Sequence, residues 1–130
     1  MQENHLFEYA VIRVVPHVER EEFLNVGIIL YCQAESFLHA RFEIDEDRLK
    51  MLCSKLDFQE LRDYVSSFEK ICKGGENSGP IGKLPIAERF RWLTATRSTL
   101  LQTSPVHPGL CNDAGEMLKR LFENLVEKID

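Results

Sequence analysis

The first 44 residues carry three runs in which apolar side chains recur at every second position, and after Asp45 the recurrence changes to every third or fourth. Two periods in one short chain restrict the architecture to sheet and helix packed together. A period-2 run buries one face of a strand, and a 3.6-period run buries one stripe of a helix. "FEYAVIRVV", residues 7–15, is rich in β-branched and aromatic residues and stops at Pro16, which cannot donate to a ladder. "NVGIILYCQ", residues 25–33, and "LHARFEI", residues 38–44, follow; in the latter, Leu38, Ala40, Phe42 and Ile44 share one face and His39, Arg41 and Glu43 the other. The short link "AESF" predicts an antiparallel hairpin, and the three runs predict a meander.

Beyond Asp45 the spacing of Leu49, Leu52, Cys53 and Leu56 predicts a helix. Asp57 with Glu60 forms a capping-box pattern that starts a second helix, with Leu61, Tyr64 or Val65, Phe68, and Ile71 or Cys72 as its buried stripe and Gly74 as its stop. "GGENSGPIG", residues 74–82, reads as a flexible surface loop. It is not a phosphate-binding loop, because Asn77 stands where GxxxxGK[ST] needs its first glycine and a helix precedes it. "PIAERFRWLTA" predicts a short third helix with Pro85 at its first position and Ile86, Phe90 and Leu93 facing inward. "STLLQT", residues 98–103, predicts a fourth strand, and the proline-rich "SPVHPG" an ordered loop. Asp113 with Glu116 starts a C-terminal helix carrying Met117, Leu121, Leu125 and Ile129 on one side. The expected fold is α+β: one domain over residues 1–130, with a small antiparallel sheet (a three-stranded meander plus a fourth strand) packed against about four helices.

The chain has 130 residues, 44% of them hydrophobic, enough to bury one core without a structural metal or disulfides. Cys32, Cys53, Cys72 and Cys111 form no CxxC pair and read as free thiols in a reducing cytosol, with no metal site and no cofactor motif. No basic n-region precedes an apolar stretch and no run is long enough to span a membrane, so the expected location is the cytoplasm. The formal net charge of −5 opposes nucleic-acid binding, which depends on neutralising phosphates. The one basic island lies between residues 83 and 108, where Lys83, Arg89, Arg91 and Arg97 face Glu88 alone.

Candidate chemistry is sparse. His107 and Cys111 are four apart, but Pro108 and Gly109 between them argue against a helical metal pair. His5, His17 and His39 lack ligand-like spacing and read as solvated. "TRSTL" with "SPVHPG" offers more: Arg97 supplies a guanidinium for carboxylate or phosphate, Ser98 and Thr99 hydroxyls, and His107 an imidazole. The alternative is that Arg97 pairs with an acidic residue to lock a turn while the hydroxyls cap backbone amides. At the mouth of the second strand, Asn25 and Gly27 share a face with Ile29 and Tyr31 in strict alternation, leaving a gap beside Asn25. Either a bulge explains that gap, or, with the fourth strand joining the sheet near the second, it receives Arg97 beside Glu22 and Asn25, with His107 close by.

At "YAVIRVVPHVEREEFLNVGIILYC", and again at "RFRWLTATRSTLLQTSPVHPGLC" running into "LKRLFENLV", the chain resembles a family of small bacterial proteins catalogued as a domain of unknown function. Glu22, Asn25, Gly27, Arg97, Ser98, Thr99 and His107 all match the family pattern, and Thr96 stands where that pattern has proline. The resemblance brings no activity with it. It does imply an association with HipA-like kinases, beside which such proteins are often encoded. The reading is therefore a non-catalytic interaction or regulatory module that acts with a partner protein. The alternative is a small enzyme or ligand-binding protein using Arg97, Ser98 and His107.

Overall fold

A computed structural model describes residues 4–127, and its central strand is β1, His5–Val14. On one side β1 pairs antiparallel with β2, Leu24–Cys32, which pairs in turn with β3, Phe37–Phe42, so the meander forms as its alternation predicts. The hairpin turn closes through the Ser36 amide on the Gln33 carbonyl, at 3.0 Å.

The other side of β1 departs from the sequence reading twice. The fourth strand is only β4, Leu101–Thr103, and it pairs with β1 rather than with β2. The stretch expected as a proline loop contains a fifth strand, β5, His107–Cys111, paired with the first half of β1. Pro108 is tolerated there because β5 pairs with β1 alone, and on such an edge the missing N–H points outward. Between β4 and β5 the ladder is carried by Ser104, which is 3% exposed. Its amide donates to the Val11 carbonyl at 2.8 Å, and its hydroxyl accepts from the Val11 amide at 2.8 Å, standing in for a backbone carbonyl.

The register steps between the pairs Ile12–Gly27 and Arg13–Asn25, so Val26 has no opposite residue and β2 carries a bulge. The bulge overturns the strict alternation. Val26 joins Ile29 and Tyr31 in one core, whereas Asn25 donates to the Leu125 carbonyl on the opposite face. A methyl group at Gly27 would lie 2.6 Å from the Arg41 carbonyl oxygen. The gap is therefore closed by the β3 backbone, and the glycine is there for close strand approach.

Each face of the sheet is covered by helices. Ala10, Ile12, Val14, Ile29, Tyr31 and Leu38 pack against α1 (Glu46–Leu52), α2 (Phe58–Lys73) and α4 (Ile86–Leu93) through Leu49, Leu61, Phe68, Ile71, Phe90 and Leu93. Asp57 caps α2 by accepting from the Gln59 and Glu60 amides, and Gly74 ends it at φ 73°. Val65 rather than Tyr64 is the half-buried member of the α2 stripe. Residues 76–82 wind into a 3-10 turn and the single turn α3 (Gly79–Gly82), and Pro85 is the N-cap of α4, one position before the first helical residue.

The other face, with Phe7, Val11, Ile28, Leu30 and Cys32, is covered by α5, Ala114–Leu125, which Asp113 caps. The buried stripe of α5 is Ala114, Leu118 and Phe122, continued by Val126. That is one residue out of phase with the expected stripe. Met117 and Leu121 flank it, Leu125 is exposed, and Ile129 lies outside the described residues. No helix among the described residues is long and apolar enough to cross a membrane.

Candidate functional site

The β4 and β5 pairings decide where the sequence candidates fall. β1 separates β2 from β4, so Asn25 and the Arg97 segment do not become neighbours through the sheet. Glu22 pairs with Arg20 on the surface. Asn25 Nδ2 reaches the Leu125 carbonyl of α5 at 3.2 Å, and Ser98 is exposed. His107, opposite Tyr9 in the ladder, has its ring 5.3 Å from the Tyr9 ring on the α5 face. Arg97 follows α4, which packs on the other face. The structure does not bring these five residues together.

Arg97 occupies a site of its own. Its guanidinium stacks on the Trp92 ring, 4.0 Å from the centroid, and donates to the Trp92 carbonyl in the last turn of α4, which also accepts from the Ala95 amide at 3.4 Å. Among the described residues no ion pair includes it. Burial pulls its pKa below the usual arginine value, yet a guanidinium stays charged at any physiological pH. The hydroxyls nearby donate to carbonyls instead of capping amides: Thr99 to Leu101 at 2.7 Å and Thr94 to Phe90 at 2.8 Å.

Arg97 and Trp92 border a groove of about 370 Å³ between α2, α4 and β4. Its floor is the buried apolar surface of Phe68, Ile71, Leu93 and Leu101, and Tyr64 forms part of its wall. Trp92 is 40% exposed, a large aromatic left half in water beside an unneutralised cation. Of the remaining basic island, Arg89 is committed to structure. It donates to the carbonyls of Ile71 and Cys72 at the end of α2, at 2.9 and 2.8 Å.

Three further features escaped the sequence reading because they join residues far apart in the chain. Arg13 and Asn25 face each other across β1 and β2, and Arg13 Nε and Asn25 Oδ1 are buried without a hydrogen-bond partner among the described residues. The Cys53 thiol lies 3.9 Å from His17 Nε2, and His17 Nδ1 lies 3.9 Å from Glu19, at the edge of a depression that Arg20 and Glu60 also line. Third, His5 is not solvated: its Nδ1 lies 2.9 Å from Glu35 Oε2. Glu35 also accepts from the Ala114 amide at the start of α5, and Cys32 lies 3.8 Å from the same carboxylate. The hydrogen bond from His5, assisted by the Ala114 amide, holds the Glu35 carboxyl below the usual carboxylate range. Cys111 sits opposite His5 in the ladder; burial, with Cys32 and Glu35 nearby, pushes its thiol up. His5, Cys32 and Glu35 offer donor atoms that all lie within 4.8 Å of one another.

Comparison with curated proteins and with solved structures gives no match. A family model matches residues 9–126, which takes in all five strands from Tyr9 onward, both faces of the sheet, and Glu22, Asn25, Arg97, Ser98 and His107. By that match the chain belongs to the family described as protein of unknown function, DUF3037.

Proposed function

We propose that the protein is a non-catalytic interaction module that binds a segment of a partner protein in the groove between α2, α4 and β4. The observation that carries this reading is the pairing of an apolar floor with Arg97, a part-buried cation that has no carboxylate among the described residues. A desolvated guanidinium beside Trp and Tyr side chains is the composition of an interface hot spot. The chemistry selects a segment that seats one apolar side chain on Phe68 and Leu93 and presents an Asp, a Glu or a terminal carboxylate to Arg97. A HipA-like kinase is the partner that the family resemblance suggests. Of the sequence candidates, Arg97 is the one this reading retains as a binding residue.

The test is capture of partners from host lysate by tagged wild type, Trp92→Ala and Arg97→Gln, identified by mass spectrometry and compared at matched folded fraction. The expected result is one stoichiometric partner lost with both variants. Equal recovery by all three proteins overturns the reading. The runner-up, a site for a small carboxylate or phosphate, rests on the same guanidinium and on a volume within the range of ligand pockets. A saturable rise in melting temperature with benzoate or phosphate that Arg97→Gln abolishes, with no partner captured, favours it instead.

A further inference from the structure

The corner where the β2–β3 hairpin meets the start of α5 gathers one imidazole, one carboxylate and two thiols from three separate stretches of the chain. Cys32 ends β2, Glu35 lies in the hairpin turn that follows it, His5 opens β1, and Cys111 closes β5 directly opposite His5. Cys32 is fully buried and Cys111 is 5% exposed, while the His5 and Glu35 side chains retain 22% and 26% of their exposure. The corner is therefore walled by sulfur on the inside and open to solvent through the imidazole and the carboxylate.

We propose that His5, Cys32, Glu35 and Cys111 form a binding site for zinc or a divalent ion of similar softness. The donor set decides the class. Two thiolates with one imidazole select a borderline or soft ion over magnesium or calcium, and four ligands of this kind suit tetrahedral zinc. Donors bound to one tetrahedral zinc stand roughly 3.3–3.7 Å apart. The separations here are 2.9 Å from His5 to Glu35 and 3.8 Å from Cys32 to Glu35, and the donors of these three residues all lie within 4.8 Å of one another, so small rotations bring them to one ion; Cys111, across the ladder from His5 and outside that group, turns its side chain in as the fourth ligand.

The outer shell is also built. Glu35 Oε1 accepts from the Ala114 amide at 3.2 Å and keeps that bond while Oε2 turns to the ion. Binding releases the two thiol protons, and His5 offers its Nδ1 lone pair to the ion in place of its contact with Glu35. The spacing Cys32-x-x-Glu35 is that of a knuckle with one thiolate replaced by carboxylate, which is why a search for CxxC passes over it.

The experiment is a titration of chelator-treated, reduced full-length protein with Co²⁺, followed by competition with Zn²⁺. The result expected is one Co²⁺ per chain with tetrahedral d–d bands and thiolate-to-cobalt absorption, displaced by zinc. Cys111→Ser should weaken the sulfur band and Cys32→Ser/Cys111→Ser should remove it. Because Cys32 is wholly buried, His5→Gln, at a side chain that keeps partial exposure, serves as a second variant that spares the core, and it should bind at least ~10-fold more weakly. Absence of a saturable one-to-one complex overturns the proposal. So do sulfur bands that persist in the double variant, which would assign them to Cys53 or Cys72, and undiminished affinity in His5→Gln.

Discussion

On one face of the sheet Ala10, Ile12, Val14, Ile29 and Tyr31 lie under three helices; on the other, Phe7, Val11, Ile28 and Leu30 lie under α5 alone. A 12-residue helix is about 18 Å long, and a 10-residue strand such as β1 about 33 Å. The single helix therefore leaves the ends of its face to polar side chains. At its start lie His5, Glu35 and the two cysteines; at its end Asn25 bonds the Leu125 carbonyl with Arg13 opposite. The three-helix face has apolar cover to spare, and its polar groups go to helix ends, Arg89 to α2 and Arg97 to α4. The difference teaches that sites arise where cover runs short on one face and where two helices fail to close on the other.

The largest effect that sharpens this contrast is expected at Phe90, which is 1% exposed and stacks on Tyr31 at 5.3 Å between ring centroids. Phe90→Ala should cost ~3–5 kcal/mol in urea denaturation. Phe122→Ala, on the α5 face, should fall at the low end of that range, because the flexible Arg41 side chain already lies over its ring and can settle into the space. A larger loss at Phe122 than at Phe90 breaks the contrast.

Next come the two backbone devices on β1's flanks. Gly27→Ala drives a methyl group against the Arg41 carbonyl and should cost ~1–3 kcal/mol by overpacking. Ser104→Ala leaves the Val11 amide without its acceptor and should cost a similar ~1–3 kcal/mol. If β4 and β5 are independent of the Ser104 link, its melting temperature will match that of wild type. Loss of the α2 cap in Asp57→Ala is smaller, ~0.5–2 kcal/mol, and is read from the same denaturation curves.

Much of this architecture is legible in the chain because it is local. The meander follows from alternation in β1, β2 and β3, and the helix starts follow from Asp45, Asp57 and Asp113, each of which accepts from amides in the first turn. What escapes is what depends on partners. β5 reads as a loop because Pro105 just before it and Pro108 within it dominate the stretch, and only the pairing of β5 with β1 alone, which leaves β5 an open outer edge, makes Pro108 acceptable. The bulge at Val26 inverts the facing of Asn25, and a single inserted residue leaves no mark on the pattern upstream of it. The stripe of α5 slips by one because Ala114 and Leu118 are no more apolar than Met117 and Leu121, and the sheet makes the choice. The expected meeting of Glu22, Asn25, Arg97 and His107 rested on β4 joining β2; with β1 between them, the residues divide across the sheet.

The central claim is that the two faces carry separate sites, so the most direct test compares one change on each in a single quantitative partner-capture assay. Trp92→Ala alters the groove and Cys111→Ser alters the α5 corner, and circular dichroism fixes the folded fraction of both. The account predicts that Trp92→Ala loses capture by at least ~10-fold, as for an interface hot spot, while Cys111→Ser retains it at the wild-type level. Capture lost equally with Cys111→Ser, or retained with Trp92→Ala, contradicts it.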